Sequence, residues 1–208
     1  MYVPEYFKET RSEHVLALIE GNSFGMLVTA PDGVPFVSHL PFIFDHAAGS
    51  KGKLLCHMAR ANPQWQHFSS CSEVLVVFQG PHAYVSPSWY SSSSVPTWNY
   101  AVVHLRGKPR LIESESELEA LVERLTHIYE SHMPSPWKPN LAGEQRAKLL
   151  NMIVGLEIEV TDIQGKFKLS QNRPLEDQQS VVEKLSQSSN QTEVAVAKLM
   201  PGTIHAEF

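Results

Sequence analysis

The sequence predicts an antiparallel β-barrel with added helices, an α+β arrangement, on three observations. Apolar runs of strand length outnumber helical ones. Successive runs are joined by turn chemistry, so neighbours read as hairpins. Only a few helical segments intervene, and they do not alternate with the strands as a parallel sheet requires.

Thr10-Arg11-Ser12-Glu13 reads as a capping box, followed by a short helix through Val15, Leu16, Leu18 and Ile19 that ends near Gly21. Phe24–Thr29 is a buried strand. Pro31-Asp32-Gly33 is a turn, and Val34–Leu40 returns as the second arm of a hairpin. Phe42-Ile43-Phe44 stays extended, and Gly49–Gly52 turns into the strand Lys53–Met58. Val74–Phe78 reads as one strand and His82–Val85 as another, separated by Gly80-Pro81. The prolines and serines of Ser86–Thr97 mark a loop. Trp98–Arg106 is a long strand with Ala101, Val103 and Leu105 on one face and Tyr100, Val102, His104 and Arg106 on the other. Ser114-Glu115-Ser116-Glu117 is a second capping box, and Leu118, Leu121, Val122, Leu125 and Ile128 follow at helical spacing. Pro134, Pro136 and Pro139 mark a long loop before a helix over 144–151. Leu156, Ile158 and Val160 then alternate with Glu157, Glu159 and Thr161, a strand with one wet face. Residues 174–200 read as two helices, Leu175–Leu185 and Gln191–Met200, split by Ser186–Asn190.

The length of 208 residues allows one large domain, or one with an appendage, and a hydrophobic content of 42% supplies an ordinary core. A net charge of −5 disfavours indiscriminate binding to nucleic acid or anionic lipid. The charge is uneven. Residues 1–110 hold 8 Lys and Arg against 7 Asp and Glu, whereas 111–208 hold 9 against 15, so an anionic ligand belongs in the first half. Cys56 and Cys71 form no CxxC pair, which argues against a cysteine zinc site and fits a reducing compartment. No signal peptide opens the chain and no run is long enough to span a membrane. A cytoplasmic protein without membrane association is therefore expected.

The chain carries no GxGxxG, P-loop, GxSxG or HExxH pattern. Ser86 and Ser88 lie in a proline-rich loop without an identifiable base. His39, His57, His82 and His104 fall on strands but lack metal-ligand spacing, so no metal site is assigned. Three segments remain. In His57-Met58-Ala59-Arg60-Ala61-Asn62-Pro63-Gln64-Trp65 a strand hands over to a helix with Asn62 at the N-cap and Pro63 behind it. Arg60 beside such a helix start suits an anion, and a plain strand-to-helix junction suits the same residues. Lys166–Pro174 mixes Lys168 and Arg173 with the neutral donors Ser170, Gln171 and Asn172. It fits a phosphate or a heterocycle edge, or simply a solvated loop capping the next helix. The aromatics Trp89, Tyr90, Trp98 and Tyr100 bracket a loop, either as a wall for a flat ring or as packing.

Several of these segments, in order, carry a resemblance: Met1-Tyr2-Val3-Pro4, Ser38-His39-Leu40-Pro41, His57–Pro63, Gly80–Tyr90, Val95–Tyr100 and Lys168–Asn172. Together they resemble the PaiB family, described as FMN-binding negative transcriptional regulators. The resemblance runs from residue 1 to about 200. It implies the antiparallel split β-barrel of the FMN-binding type, related to pyridoxamine-phosphate oxidases, and a homodimer with FMN at the subunit interface. Carried over by position, it sets Ser38 and His39 near the phosphate end. His57, Arg60 and Asn62 then lie on phosphate and ribityl groups, Trp98 and Asn99 near the ring, and Lys168, Gln171 and Asn172 reach in from the C-terminal segment. Residues 1–165 would form the flavin domain with inserted helices, and 166–208 a flavin loop with a helical hairpin packed on the barrel or the dimer mate.

The expected function is a flavin-dependent oxidoreductase or a flavin-responsive regulator, with no catalytic acid or base assigned. The alternative is a DNA-binding repressor acting through the C-terminal helices. A third is an interaction protein that has lost its flavin. The helices argue against DNA readout, because residues 174–200 hold Glu176, Asp177, Glu183 and Glu193 against only Lys184 and Lys198.

Overall fold

Alternation and turn chemistry build eight strands: β1 (Lys8–Glu9), β2 (Phe24–Thr29), β3 (Phe36–Pro41), β4 (Ile43–Asp45), β5 (Lys53–Ala59), β6 (Val74–Val85), β7 (Thr97–Ile112) and β8 (Ile153–Lys168). Five α-helices accompany them: α1 (Ser12–Gly21), α2 (Glu115–Glu130), α3 (Gly143–Leu150), α4 (Leu175–Ser186) and α5 (Gln191–Leu199). This is a computed structural model, and it describes residues 1–139 and 143–203. The end of the expected C-terminal segment, 204–208, lies outside the described residues.

The strands form one sheet in the order β3-β2-β6-β7-β8-β5-β4, with β1 on β8. The pairs β1–β8, β2–β3, β2–β6, β4–β5 and β5–β8 are antiparallel, for example Leu27 opposite Ser38 and Cys56 opposite Leu156. The path ends at β3 and β4 without closing, so the expected barrel is an open, split one.

Chain contacts divide the protein into two compact units. The first comprises Met1–Asn22, Phe78–His104 and Gln164–Phe208; the second comprises Ser23–Val77 and Leu105–Ile163. In the second unit, Leu54, Cys56 and Met58 of β5 and Leu156, Ile158 and Val160 of β8 are buried on one sheet face. The opposite face carries Ile43 and Leu55, and α2 lays Leu118, Leu121 and Leu125 against it. Each such side chain contributes about 1.5–3 kcal/mol when fully buried. Gly107 permits the close approach of β7 to β8, since a Cβ there would sit 2.5 Å from the Glu159 carbonyl oxygen. In the first unit, α4 and α5 form the expected pair, burying Val181 and Leu185 on one helix and Val196 and Ala197 on the other.

Four local expectations change. The Thr10–Glu13 capping box does not form: α1 starts at Ser12 without a side-chain cap, because the buried Glu9 carboxylate takes the Arg11 N–H at 2.9 Å and the Arg11 guanidinium as well. Gly80-Pro81 does not break β6. Gly80 is needed inside the strand, where a Cβ would meet Leu18 of α1 at 3.0 Å. β7 runs on through Gly107 to Ile112. β8 absorbs Lys166–Lys168, expected as loop.

Candidate functional site

Within the second unit, β5 presents His57 opposite Gly155 of β8. A Cβ on Gly155 would lie 2.9 Å from both Ile112 and Leu118, so the missing side chain lets α2 close over this part of the sheet. The Nδ1 atom of His57 is buried and has no hydrogen-bond partner among the described residues. Burial lowers the His57 pKa, so the ring is neutral at pH 7 and keeps one acceptor nitrogen. The neighbouring Cys56 thiol is fully buried and pushed up by that burial, which makes it inert.

Past β5 the chain is pinned to the start of β8. Arg60 donates from its backbone N–H to the Met152 carbonyl at 2.8 Å, from Nε to Asn151 at 2.7 Å and from Nη2 to Ile153 at 2.9 Å. Two of its side-chain nitrogens are thus held by backbone oxygens, and Nη1 has no hydrogen bond among the described residues. Asn62 caps as expected, accepting the Gln64 N–H at 3.0 Å, while its Nδ2 donates to the Ser38 hydroxyl at 2.8 Å. The helix it caps is a 3₁₀ segment, Pro63–Ser69. Pro63 has no N–H and that of Gln64 is already taken, so this helix start offers an anion little beyond Arg60. Ser38 and Asn62 are brought together; His39, the next residue on β3, is exposed and stacks on Phe24 with ring centroids 6.2 Å apart.

Gln64 was not foreseen. It is fully buried, and its Nε2 lies 3.0 Å from the Leu27 carbonyl, 3.2 Å from Thr29 Oγ1 and 3.1 Å from the Phe36 carbonyl, stitching β2 to β3. Thr29 continues the network to His67 Nδ1 at 2.9 Å. A glutamine among polar residues gives no sign of burial in sequence.

Within the first unit, Lys168 ends β8 and donates 2.6 Å bonds to Thr97 Oγ1 and to the Trp98 carbonyl. Burial lowers its pKa, helped by the charges of Lys166 and Arg173. Asn99 is fully buried and donates to the Ser170 hydroxyl at 2.9 Å. It thereby holds Ser170 at a φ of 68°, a left-handed conformation uncommon outside glycine. Gln171 folds back to accept the Leu169 N–H at 2.7 Å and donate to the Phe167 carbonyl. Asn172 is exposed in the same turn. Trp98 is exposed between His82 and Tyr84, at 6.1 and 5.9 Å between ring centroids. Tyr100 carries the Lys166 ammonium at 5.3 Å, while Tyr90 is buried under the Arg173 guanidinium at 4.6 Å. Ser86 caps the short 3₁₀ turn Pro87–Trp89, and its hydroxyl bonds that of Ser88 at 2.8 Å. Among the described residues, no three His, Cys, Asp or Glu side chains gather as metal ligands.

The family described as "Putative FMN-binding domain" matches residues 1–162. Over 202 residues the chain is 43% identical to the protease synthase and sporulation protein PAI 2 of Bacillus subtilis (strain 168), across 96% of each protein. The chain belongs to the PaiB family. FMN is the cofactor to which that family's description refers. The PaiB-family sheet also has solved structural likenesses. One is the flavocytochrome Anf3 from Azotobacter vinelandii, with a TM-score of 0.61 at 15% identity, covering 80% of this chain and 72% of that one. Another is the FAD and heme binding protein from Mycobacterium smegmatis, with a TM-score of 0.59 at 15% identity, covering 77% and 73%. At that identity they establish the split-barrel architecture of this PaiB-family chain. No helix of the described residues is long and apolar enough to cross a membrane.

Proposed function

We propose that this PaiB-family protein binds FMN with the phosphate end at the junction following β5, and works as a flavin-dependent oxidoreductase or a flavin-responsive regulator. The observation that carries the reading is the buried, unpartnered Nδ1 of His57, two residues from the end of a strand that leads into a fixed guanidinium. The residues present fit such a group. Arg60 is oriented by the Asn151 and Ile153 carbonyls, so Nη1 is presented without further ordering. Ser38 accepts from Asn62, which leaves its own hydroxyl hydrogen to donate to a phosphate oxygen. His57, kept neutral by burial, offers a hydrogen bond without adding charge. Bound FMN would supply hydride and single-electron transfer.

In this reading residues 1–165 form the flavin domain and 166–208 the flavin loop and helical hairpin, with the exposed Trp98 and the cation Lys168 serving the ring. A homodimer completes the site, and the protein acts in the cytoplasm. Direct DNA contact is not assigned to α4 and α5. Their first turns carry Glu176, Asp177 and Glu193, and their buried residues serve packing.

Titration by quenching of flavin fluorescence tests the reading. Wild-type protein should bind FMN and show flavin absorption, and Arg60→Ala should weaken binding by about 1.5–3 kcal/mol. An unchanged affinity removes Arg60 from the site, and a wild-type protein that ignores added FMN overturns the reading. Light scattering should report about twice 23.3 kDa.

A further inference from the structure

The second unit contains a cavity of about 870 Å³ bounded by α2, α3, the segment 131–139 and the adjoining ends of β5 and β8. Its wall is largely apolar, built by Val122, Trp137, Leu149, Leu150, Met152 and Ile153. Trp137, Leu149 and Met152 are 55%, 44% and 60% exposed, a concentration of large apolar side chains that a soluble surface avoids unless something covers it. Most of the charges around the opening are already engaged. Arg146 pairs with Glu119 and Glu123, and Glu130 accepts the Trp137 backbone N–H at 2.6 Å. Thr126 turns its hydroxyl to the Val122 carbonyl at 2.9 Å. His127 and Lys138, the other ionisable lining groups, are exposed to solvent.

The lumen therefore presents apolar surface and few unengaged polar groups. Its volume falls in the ~300–1,000 Å³ range of small-molecule pockets. Its floor is rigid, because Arg60 fixes the carbonyls of Asn151, Met152 and Ile153. Ser38, His57, Arg60 and Asn62 do not line it.

We propose that this cavity is a binding site for an uncharged, predominantly apolar small molecule of drug-like size, separate from the flavin junction. A carboxylate or phosphate would lose hydration on entering and leave behind the solvated Lys138 and His127, the remaining lining charges being engaged, whereas an apolar ring exchanges water for the side chains of α2, α3 and β8.

The test uses the full-length protein and N-phenyl-1-naphthylamine, an uncharged probe that brightens in apolar surroundings. Binding is titrated with and without saturating FMN, in wild type, Leu149→Glu and Met152→Glu. Both positions are exposed, and circular dichroism checks the fold of each variant. Saturable one-to-one binding is expected, undisturbed by FMN and weakened about tenfold or more in both variants by the carboxylate added to the wall. FMN affinity, measured separately in Leu149→Glu, should not change. Absent or non-saturating binding overturns the proposal, as does binding that neither variant weakens. Displacement by FMN makes the cavity the flavin's own, and a drop in light-scattering mass in the variants makes it an interface between copies; either result also overturns it. Loss of FMN binding with probe binding intact strikes the flavin reading alone.

Discussion

Ser38, His57 and Arg60 in the second unit each keep a hydrogen-bonding position open among the described residues, whereas Asn99, Ser170 and Gln171 in the first close on partners of their own unit. All six came from one set of motifs, with the same donor-rich chemistry. The difference lies in what the backbone brings beside them. The end of β5 faces the start of β8, whose carbonyls occupy only part of Arg60. The turn after β8 instead folds upon itself, so Gln171 and Ser170 meet local backbone and Asn99. Polar residues in a ligand-like motif are thus of two kinds, those that present and those that hold the frame.

The comparison breaks most visibly in stability. Gln64→Ala should destabilise by about 3–4 kcal/mol in urea unfolding, because buried oxygens on β2 and β3 lose their donor and a cavity opens. Asn99→Ala should cost about 2–3 kcal/mol by leaving the Ser170 hydroxyl unpaired. A stable Asn99→Ala protein that has lost FMN would reverse the assignment of Asn99 to the frame. Next in size is Arg60→Lys, which keeps the charge but loses the fork that engages two carbonyls. About tenfold weaker FMN binding is expected, near 1.4 kcal/mol, and wild-type affinity would show that charge alone suffices.

The smallest effect concerns acid stability. Burial alone would raise the Glu9 pKa, but the Arg11 side chain and backbone N–H, with His14, bring it below its ordinary 4.5. Glu157 is lowered likewise, burial being outweighed by Arg110 and Lys53. A carboxylate depressed in the folded state stabilises above its unfolded pKa, and that contribution is lost as pH falls through the folded value. Unfolding stability should therefore decline below about pH 4.5. Glu9→Gln should flatten that decline more than Glu157→Gln, since the Glu9 side chain is 4% exposed against 17%. Equal slopes would mean that the two ion pairs contribute alike despite their burial.

The sequence alone determined whatever depends on near neighbours and period. The first hairpin, the two faces of β7, the Ser114 cap of α2, the Asn62 cap and the α4–α5 pair were all legible, because alternation and capping are local. The family motifs likewise named the split barrel and its cofactor class. Tertiary structure decided the rest. It kept Gly80-Pro81 inside β6 because Leu18 presses on Gly80, and it replaced the cap of α1 with the Glu9 carboxylate. It also buried Gln64 and gave Arg60 the carbonyls of residues 91 and 93 positions away. Which donors remain open to a ligand is a property of those distant pairings, and no window along the chain contains both partners.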